Sequence, residues 1–399
     1  MRIAYFCGKY PYTQKTDIPD DSYFCGGSII AAFKLVNEMV EKNIECYVFT
    51  TSYNHDKQIE KDQNLEIIHF PTTIQLLTSN ISLRLIFDPL DYSADIVHVH
   101  FDLPPTPFWG YRYAMKKNKP LIITYHGDWS DNYGNFFRKI IVKMINFFIV
   151  DKMLSRADII ISPSLYYINE SRFLKKYEKK IRVIPNGVDT DHFKIEYSKS
   201  ECKKSLGLPE KSTVVLYLGA LTPRKGPDVL IKSMQIVTEK DPTILLLICG
   251  TGEMEYSLKN LVKSLHLENN VKFCGFVDEK IKHVYYKAAD VFCLPSTVST
   301  EVFPLVLLEA AACGLPLIVS DLETFKCIVT NGQNGYFSRK GDVPDLAEKI
   351  DYLTHHQKER LSLGSNARSF AEQFSWSKIA DMTFDCYCEL MEIKKSDEN

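Results

Sequence analysis

The chain has 399 residues, 45% of them apolar and 25% charged, with a formal net charge of −2. This length favours two domains, and the near-neutral balance gives no general basic field of the kind that recruits nucleic acid. The 11 cysteines lack paired metal-ligand spacing; Cys386 and Cys388 are close, but no second pair completes a site. Free thiols in a chain this long suit a reducing compartment. No long apolar stretch follows Met1–Cys7, and no run is long and apolar enough to cross a bilayer. A cytoplasmic location is the expectation.

Arg2–Cys7 is a short apolar run bounded by Gly8 and Pro11, and reads as a buried strand. A polar loop leads to Gly26-Gly27. A helical pattern follows, with Ile29, Ile30, Phe33, Val36, Met39 and Val40 on one broad apolar face. Further strands are predicted at Glu45–Thr51, Leu65–Phe70, Asp95–His100, Pro120–His126 and Ala157–Ser162, with helices between most of them. Beyond its one strand, Thr51–Asp91 carries no legible motif. The alternation is that of a doubly wound parallel sheet. Asn186–Leu208 shows little apolar periodicity and is the expected crossing between domains.

The pattern then restarts. Strands are predicted at Thr213–Leu218, Thr243–Cys249, Val271–Cys274, Asp290–Pro295 and Pro316–Ser320. Helices are predicted at Pro227–Glu239, Tyr256–His266, Leu346–Tyr352 and onward through Phe370. Two α/β units in series place a cleft between them, where open parallel sheets take ligands beyond their strand ends.

Phe136–Val150 is very apolar, with Lys139, Lys143 and Asn146 as a narrow polar stripe at helical spacing. Lying on an anionic membrane is one reading. Burial as a core helix with snorkelling lysines is the other, and burial is the expectation.

The segment Glu301 to Gly314 joins a loop carboxylate, a helix start and a helix carboxylate. Pro304 suits the first helical position. The amides of Leu305 and Val306 then point out of the positive end of the helix, a place for phosphate or a hydroxyl. Glu301 just before the helix and Glu309 within it are groups that grip hydroxyls. A holder of phosphate and hydroxyls together describes a nucleotide sugar.

Leu218 to Gly226 follows a strand and opens a helix, and Arg224-Lys225 beside a glycine make a diphosphate clamp. Cys249-Gly250-Thr251-Gly252-Glu253 lets a ligand approach the backbone closely, though such turns also occur for structure alone. His126-Gly127 ends a strand; a cleft-facing histidine and a structural one are both open on position alone. Asp128 follows, within reach of an acceptor hydroxyl. His98 and His100 alternate on one strand and read as serving its surroundings. No side chain is an obvious nucleophile.

Together these motifs resemble the retaining glycosyltransferases of family 4. The resemblance rests on Glu301-x7-Glu309 with Phe303-Pro304 between, and on Gly219 through Lys225-Gly226. It rests also on Gly26-Gly27, Thr124-Tyr125-His126-Gly127 and Pro185-Asn186-Gly187-Val188-Asp189. Asn331-Gly332-Gln333-Asn334-Gly335 and Phe374-Ser375-Trp376 complete the set, all in the family's order. One departure stands out: Ala220 occupies the place of the usual arginine.

The resemblance implies the GT-B fold, α/β, with two Rossmann-like doubly wound parallel-sheet domains facing across a cleft. It implies an acceptor-side domain over residues 1–186, a nucleotide-sugar domain over 187–374, and a last helix, 375–399, returning to the first domain. It implies transfer of a sugar from a nucleotide donor to a hydroxyl of a glycan, a lipid-linked glycan or a small molecule, with retention, by front-face substitution, without metal or cofactor. His126, Lys225 and Glu301 would be catalytic. Gly27, Arg224, Lys225, Gly252, Phe276, Phe303, Pro304, Leu305, Val306 and Glu309 would bind the donor, UDP- or GDP-linked. Partners would be that donor and a glycan or lipid-linked acceptor, with peripheral contact at the inner face of the membrane through residues 136–150 kept open. The competing readings are a nucleotide-sugar-binding relative with weak or lost activity, motivated by Ala220, and an epimerase or phosphorylase on the same fold. A dinucleotide-dependent oxidoreductase is disfavoured, because the first βα junction lacks Gly-x-Gly-x-x-Gly.

Overall fold

The computed structural model describes residues 1–13, 26–76, 79–129, 136–193, 197–299 and 301–397. Contacts divide the chain into two compact units, Met1–Asn186 with Trp376–Asn399, and Gly187–Ser375.

The first unit opens with β1 (Arg2–Phe6), α1 (Gly27–Glu41), β2 (Glu45–Thr51), β3 (Gln58–Asp62), β4 (Leu65–Phe70), β5 (Ile74–Leu76) and β6 (Ser79–Ile81). It continues with β7 (Ile96–Phe101), α2 (Thr106–Lys117), β8 (Leu121–Tyr125), α3 (Phe136–Ile145), α4 (Asp151–Arg156), β9 (Ile159–Ser162), α5 (Leu165–Glu170) and β10 (Ile181–Val183). Eight strands form one sheet in the order β10-β9-β8-β7-β1-β2-β4-β3. All pairs are parallel except β3 with β4. Every residue of β7 and β8 is buried, as expected of central parallel strands covered on both faces.

The second unit holds α6 (Lys199–Ser205), β11 (Thr213–Leu218), α7 (Pro227–Lys240), β12 (Ile244–Cys249), α8 (Glu255–Ser264) and β13 (Val271–Gly275). Next come α9 (Glu279–Ala288), β14 (Val291–Leu294), α10 (Leu305–Ala312), β15 (Leu317–Ser320), β16 (Gly335–Ser338), α11 (Val343–His355) and α12 (Gln357–Ala371). Its sheet is parallel throughout, in the order β13-β12-β11-β14-β15-β16.

The chain ends in α13 (Trp376–Asp397), which belongs to the first unit. Lys42, after α1, pairs with Asp381 at 2.5 Å. Tyr387 is fully buried, its hydroxyl 2.9 Å from that of Tyr5 and 2.6 Å from His98 Nδ1.

Several expectations change. Helix α6 lies inside the stretch read as an aperiodic crossing. It is too short to show a period, but Ser198 and Glu201 form a capping box at its start. In the unreadable stretch after Thr51, Glu60 on β3 accepts hydrogen bonds from Thr13 N at 2.7 Å and shares one with His69 Nε2 at 3.1 Å.

The expected burial of Phe136–Val150 is also overturned. α3 runs through a π-helical turn, Asn146–Val150, into α4. Val142, Asn146 and Val150 form the buried stripe, and Asn146 Nδ2 donates to Trp129 O at 2.9 Å. Asn146 therefore leaves the polar stripe drawn with Lys139 and Lys143. Phe136, Phe137, Ile140, Ile141, Met144, Phe147 and Phe148 stay 40–76% exposed. A helix apolar on nearly every side can bury only the face that meets the rest of the unit.

Tyr387→Phe tests how α13 is held. Loss of the hydroxyl takes a partner from both His98 and Tyr5 inside the core. The expected cost is about 1–3 kcal/mol, read as a lower urea midpoint with an unchanged m-value.

Candidate functional site

In the second unit the chain moves outward from β11 through β12 and β13, then returns to β14 on the other side of β11. Beyond the carboxyl ends of β11 and β14 the strand order reverses, which is where such sheets take ligands. Two of the segments singled out in the sequence leave from these two strand ends. They are fastened to each other: Thr297 N donates to Arg224 O at 2.7 Å. Gly226 has φ +64°, and a Cβ there would lie 2.2 Å from Pro295 O, so a side chain would force the segments apart.

Pro223–Lys225 forms a 3-10 turn. Lys225 is buried, its Nζ 2.6 Å from Glu301 Oε2. Arg224 is more open, with its guanidinium 3.7 Å from Glu301 Oε1. Burial alone would push the Glu301 carboxyl up, but the charges of Lys225 and Arg224 and the Lys225 hydrogen bond outweigh it and hold the carboxyl below its ordinary value. Two cations against one carboxylate leave an excess positive charge at the reversal point.

Pro304 is the residue before α10, not its first helical residue. Its φ of −69° fits either place, but its ψ of 119° is extended, and the helix begins at Leu305. Leu307 N donates to Pro304 O at 3.1 Å. The Leu305 and Val306 amides have no hydrogen-bond partner among the described residues, so the free amides foreseen at this helix start are present. Phe303 is a core side chain, its ring 6.0 Å from that of Phe374, so it offers a ligand only backbone.

Glu309 is buried and engaged. Lys282 Nζ lies 3.0 and 3.1 Å from its two oxygens, and the Tyr286 hydroxyl donates to Oε2 at 2.8 Å. A carboxylate has about four acceptor positions, so room for a further donor remains. Lys282 also pairs with Glu279 at 2.5 Å. Sequence reading missed Lys282 and Tyr286; they stand four apart on α9, and nothing local ties that helix to Glu309.

Gly252 follows β12 beside the same turn, where a Cβ would lie 2.5 Å from Leu221 O. Phe276 follows the edge strand β13 and is about one-third exposed, at 36%.

In the first unit the order reverses between β1 and β7. Asp102, just past β7, ties the two strand ends together by accepting from Gly8 N at 3.0 Å and Leu103 N at 2.5 Å. Burial pushes its carboxyl up to about 7, against the opposing pull of these amides. Sequence reading did not single it out. His126 comes directly after the next strand, β8, and its Nε2 is 2.9 Å from His100 Nδ1. Burial pushes His126 down to about 4 and His98 down to about 3.

Asp128 is engaged within its own unit, with about one of its four acceptor positions left over. It accepts from Tyr125 and Ser171 hydroxyls, each at 2.7 Å, and from Arg172 N at 2.8 Å. Gly27 opens α1, and a Cβ there would meet nothing within 4 Å. Packing among the described residues therefore gives no reason for glycine at that place.

Two parallel-sheet α/β units with these strand orders define a GT-B protein. The sequence matches the family described as Glycosyl transferases group 1 over residues 198–370 and that described as Glycosyltransferase Family 4 over residues 25–192. The chain belongs to the family 4 glycosyltransferases. It is 24% identical to a D-inositol 3-phosphate glycosyltransferase of Corynebacterium aurimucosum, over 93% of each chain. It is 32% identical to a phosphatidyl-myo-inositol mannosyltransferase of Mycobacterium leprae, over 51% of this chain and 52% of that one. The chain spans about half the length of several curated relatives it matches, at 56%, 50% and 52%. The crystal structure of Anabaena HepE in complex with UDP and glucose superposes with a TM-score of 0.73 at 19% identity, covering 97% of this chain and 99% of that one. At that identity the likeness is one of fold.

Lys225→Met should expose the logic of the ion pair. In the native protein the lowered carboxyl of Glu301 stabilises the fold above the unfolded value of about 4.3, and that stabilisation is lost as pH falls through the native value. In the variant, burial is opposed only by the more distant Arg224, so the Glu301 carboxyl moves up and an underpaired buried charge remains at neutral pH. The expected deficit is about 3 kcal/mol at pH 7.5, shrinking toward pH 4.5 as Glu301 protonates. Urea unfolding at the two pH values measures it, and an equal deficit at both would contradict the pairing.

Proposed function

We propose that the protein is a retaining, metal-independent hexosyltransferase that moves a sugar from a UDP- or GDP-linked donor to a hydroxyl of a glycan, a lipid-linked glycan or a small molecule. The observation that carries this reading is the excess positive charge of Arg224, Lys225 and Glu301 where β11 and β14 part, together with two helix-start amides that have no partner among the described residues. In this reading Lys225, Arg224 and the amides of Leu305 and Val306 hold the diphosphate. Glu301 orients the hydroxyls of the donor sugar, and Glu309 those of the ribose. Gly252 and Phe276 line the nucleotide's place through backbone, as do Phe303 and Pro304. Gly27 and His126 are the groups the first unit contributes, Gly27 toward the donor phosphate and His126 toward the reacting carbon. The family resemblance supports these roles, as does the absence of any packing need for glycine at 27.

The reaction proposed is front-face substitution. The bond from the anomeric carbon to the phosphate oxygen lengthens and breaks, leaving an oxocarbenium-like sugar. The acceptor hydroxyl forms its bond from the same face, and its proton passes to the departing phosphate. The protein supplies position and charge rather than a covalent step. Metal independence follows in this reading because the two cations and the helix end already meet the charge of the leaving group. Ala220 favours one second reading, a nucleotide-sugar-binding relative with weak or lost activity; transfer from any donor at about 1 per second or faster, an ordinary enzymatic turnover, would dismiss it.

Membrane contact belongs to the same proposal. The helix that carries the exposed apolar face, α3 with its π-helical turn, runs on into α4, where Lys176 binds Asp151 at 2.7 Å and Lys180 Nζ binds Ser155 O and Ala157 O at 2.7 Å. Phe147 and Asp151 are four residues apart on one continuous helix, so the lysine-bearing segment adjoins the aromatic end. Large apolar side chains beside lysines, on a chain with no excess positive charge overall, fit a bilayer with anionic headgroups. Lipid-linked acceptors would be met there.

Three outcomes are expected. A thermal-shift panel of UDP-, GDP- and ADP-sugars should raise the melting point with one UDP or GDP donor. With that donor, Lys225→Ala should lose about 100-fold or more in turnover, and near-full turnover would remove the clamp from the mechanism. Vesicles carrying anionic lipid should sediment the protein in a salt-sensitive way, and Phe147→Ser with Phe148→Ser should weaken this at least several-fold. Equal sedimentation with neutral vesicles, or none, would end the membrane reading.

A further inference from the structure

Three imidazoles stack along the carboxyl half of β7 and β8. The rings of His98 and His100 are 4.9 Å apart at 19°, and those of His100 and His126 are 5.2 Å apart at 16°. The strands pair in parallel with His98 opposite Ile122 and His100 opposite Thr124, which brings the histidines of β7 level with Thr124 and His126 on one face. His98 is satisfied on both sides, by the Tyr387 hydroxyl at 2.6 Å and Thr124 Oγ1 at 2.7 Å. His100 is satisfied on one side only. Its Nδ1 is 2.9 Å from His126 Nε2, while its Nε2 is buried with no partner among the described residues.

We propose that His100 is a positioning residue for His126: His100 Nδ1–H donates to His126 Nε2, which fixes the His126 ring and leaves its own proton on Nδ1.

The tautomer follows from which nitrogen can tolerate isolation. Burial keeps both rings neutral near pH 7, so each carries one proton. If His126 donated instead, the proton of His100 would sit on Nε2, as a buried N–H without an acceptor. Orphaned buried N–H groups are rarer than under-satisfied acceptors, and a buried donor left unmade costs about 1–3 kcal/mol. The arrangement with His100 as donor leaves only a lone pair unmet. A histidine's protonated nitrogen is set by the bond its other nitrogen makes. His126 Nδ1 has no hydrogen-bond partner among the described residues, so its N–H is available to an oxygen of the donor sugar or of the leaving phosphate. That last use rests on the reaction-centre role proposed above for His126; the pairing itself does not.

Nitrogen-15 spectra of the full chain with labelled histidines, at pH 7 and without ligand, test the pairing directly. His126→Gln supplies the assignment. The expected spectrum has His126 protonated at Nδ1 and bare at Nε2. His100→Phe should move both His126 resonances toward a mixture of tautomers. His100→Asn, which keeps an N–H donor, should restore them. Native His126 protonated at Nε2 would overturn the proposal, and this needs no variant to fold. An unchanged His126 spectrum in His100→Phe would overturn it equally. With UDP-glucose as the probe, a kcat reduced about tenfold at unchanged KM is expected for His100→Phe. A shifted tautomer with undiminished kcat would leave the pairing intact and remove His126 from the reaction centre, so the two readings fail separately.

Discussion

A buried ammonium and a buried carboxylate can persist only as a pair, and in the second unit that pair is Lys225 with Glu301. The residues are far apart in the chain. They meet because β14 returns to the flank of β11, so that the turn after one strand and the loop after the other start side by side. Gly226 lets the two backbones touch, and Thr297 locks them at Arg224 O. The pair is therefore a consequence of sheet order, and the placement of α10 depends on it. A lysine ammonium has three donors and Glu301 uses one of them, so the cation can meet an incoming anion without releasing its carboxylate.

The first unit meets the same constraint with different chemistry. Its strand order also reverses, but the strand ends there are joined by Asp102 and backbone amides. Next to that junction, polar side chains line what would otherwise be an apolar layer. Tyr5, Tyr387, His98 and Thr124 form one hydrogen-bonded chain in the core and His100 with His126 a second, and the rings of His98 and His100 stack to make one series of the two. Such a series is costly wherever one member lacks a partner. It ends at His126, the member closest to the end of its strand, and one of its anchors comes from α13. The last helix thus has a polar reason to be where it is, in addition to its apolar packing.

Most of the fold was legible because both large sheets are parallel apart from the edge strand β3, and their central strands are continuous apolar runs. β2, β4 and β11 lie where the runs predict them, residue for residue. Other strand ends differ by a residue or two, since the flanking residue of an apolar run need not pair. What escaped is short, polar or at an edge: β3 is largely charged, β10 and β16 pair on one side only, and α6 is under two turns long. At the candidate site, motif spacing singled out Lys225, Glu301, Glu309 and His126. It could not foresee the contacts of Lys282, Tyr286, Asp102 or His100, because each is made with a residue distant in sequence. The exposed face of α3 was misjudged for a further reason. Composition shows that a helix is apolar, but only the neighbouring elements decide how much of it is covered.

Ala220 can be weighed in the same terms. The family places an arginine there, and this chain places a small residue whose carbonyl accepts the Tyr217 hydroxyl at 2.9 Å. The turn that follows carries Arg224 immediately before Lys225, and Arg224 reaches to 3.7 Å from the same carboxylate while remaining 44% exposed. The number of cations against Glu301 is thus two, with one of them held loosely. A guanidinium that is not fully committed to an internal partner can reorient toward an arriving phosphate at small cost, because little desolvation has been spent on its present contact. A relocated arginine would therefore preserve the charge of the clamp while changing the side from which it approaches.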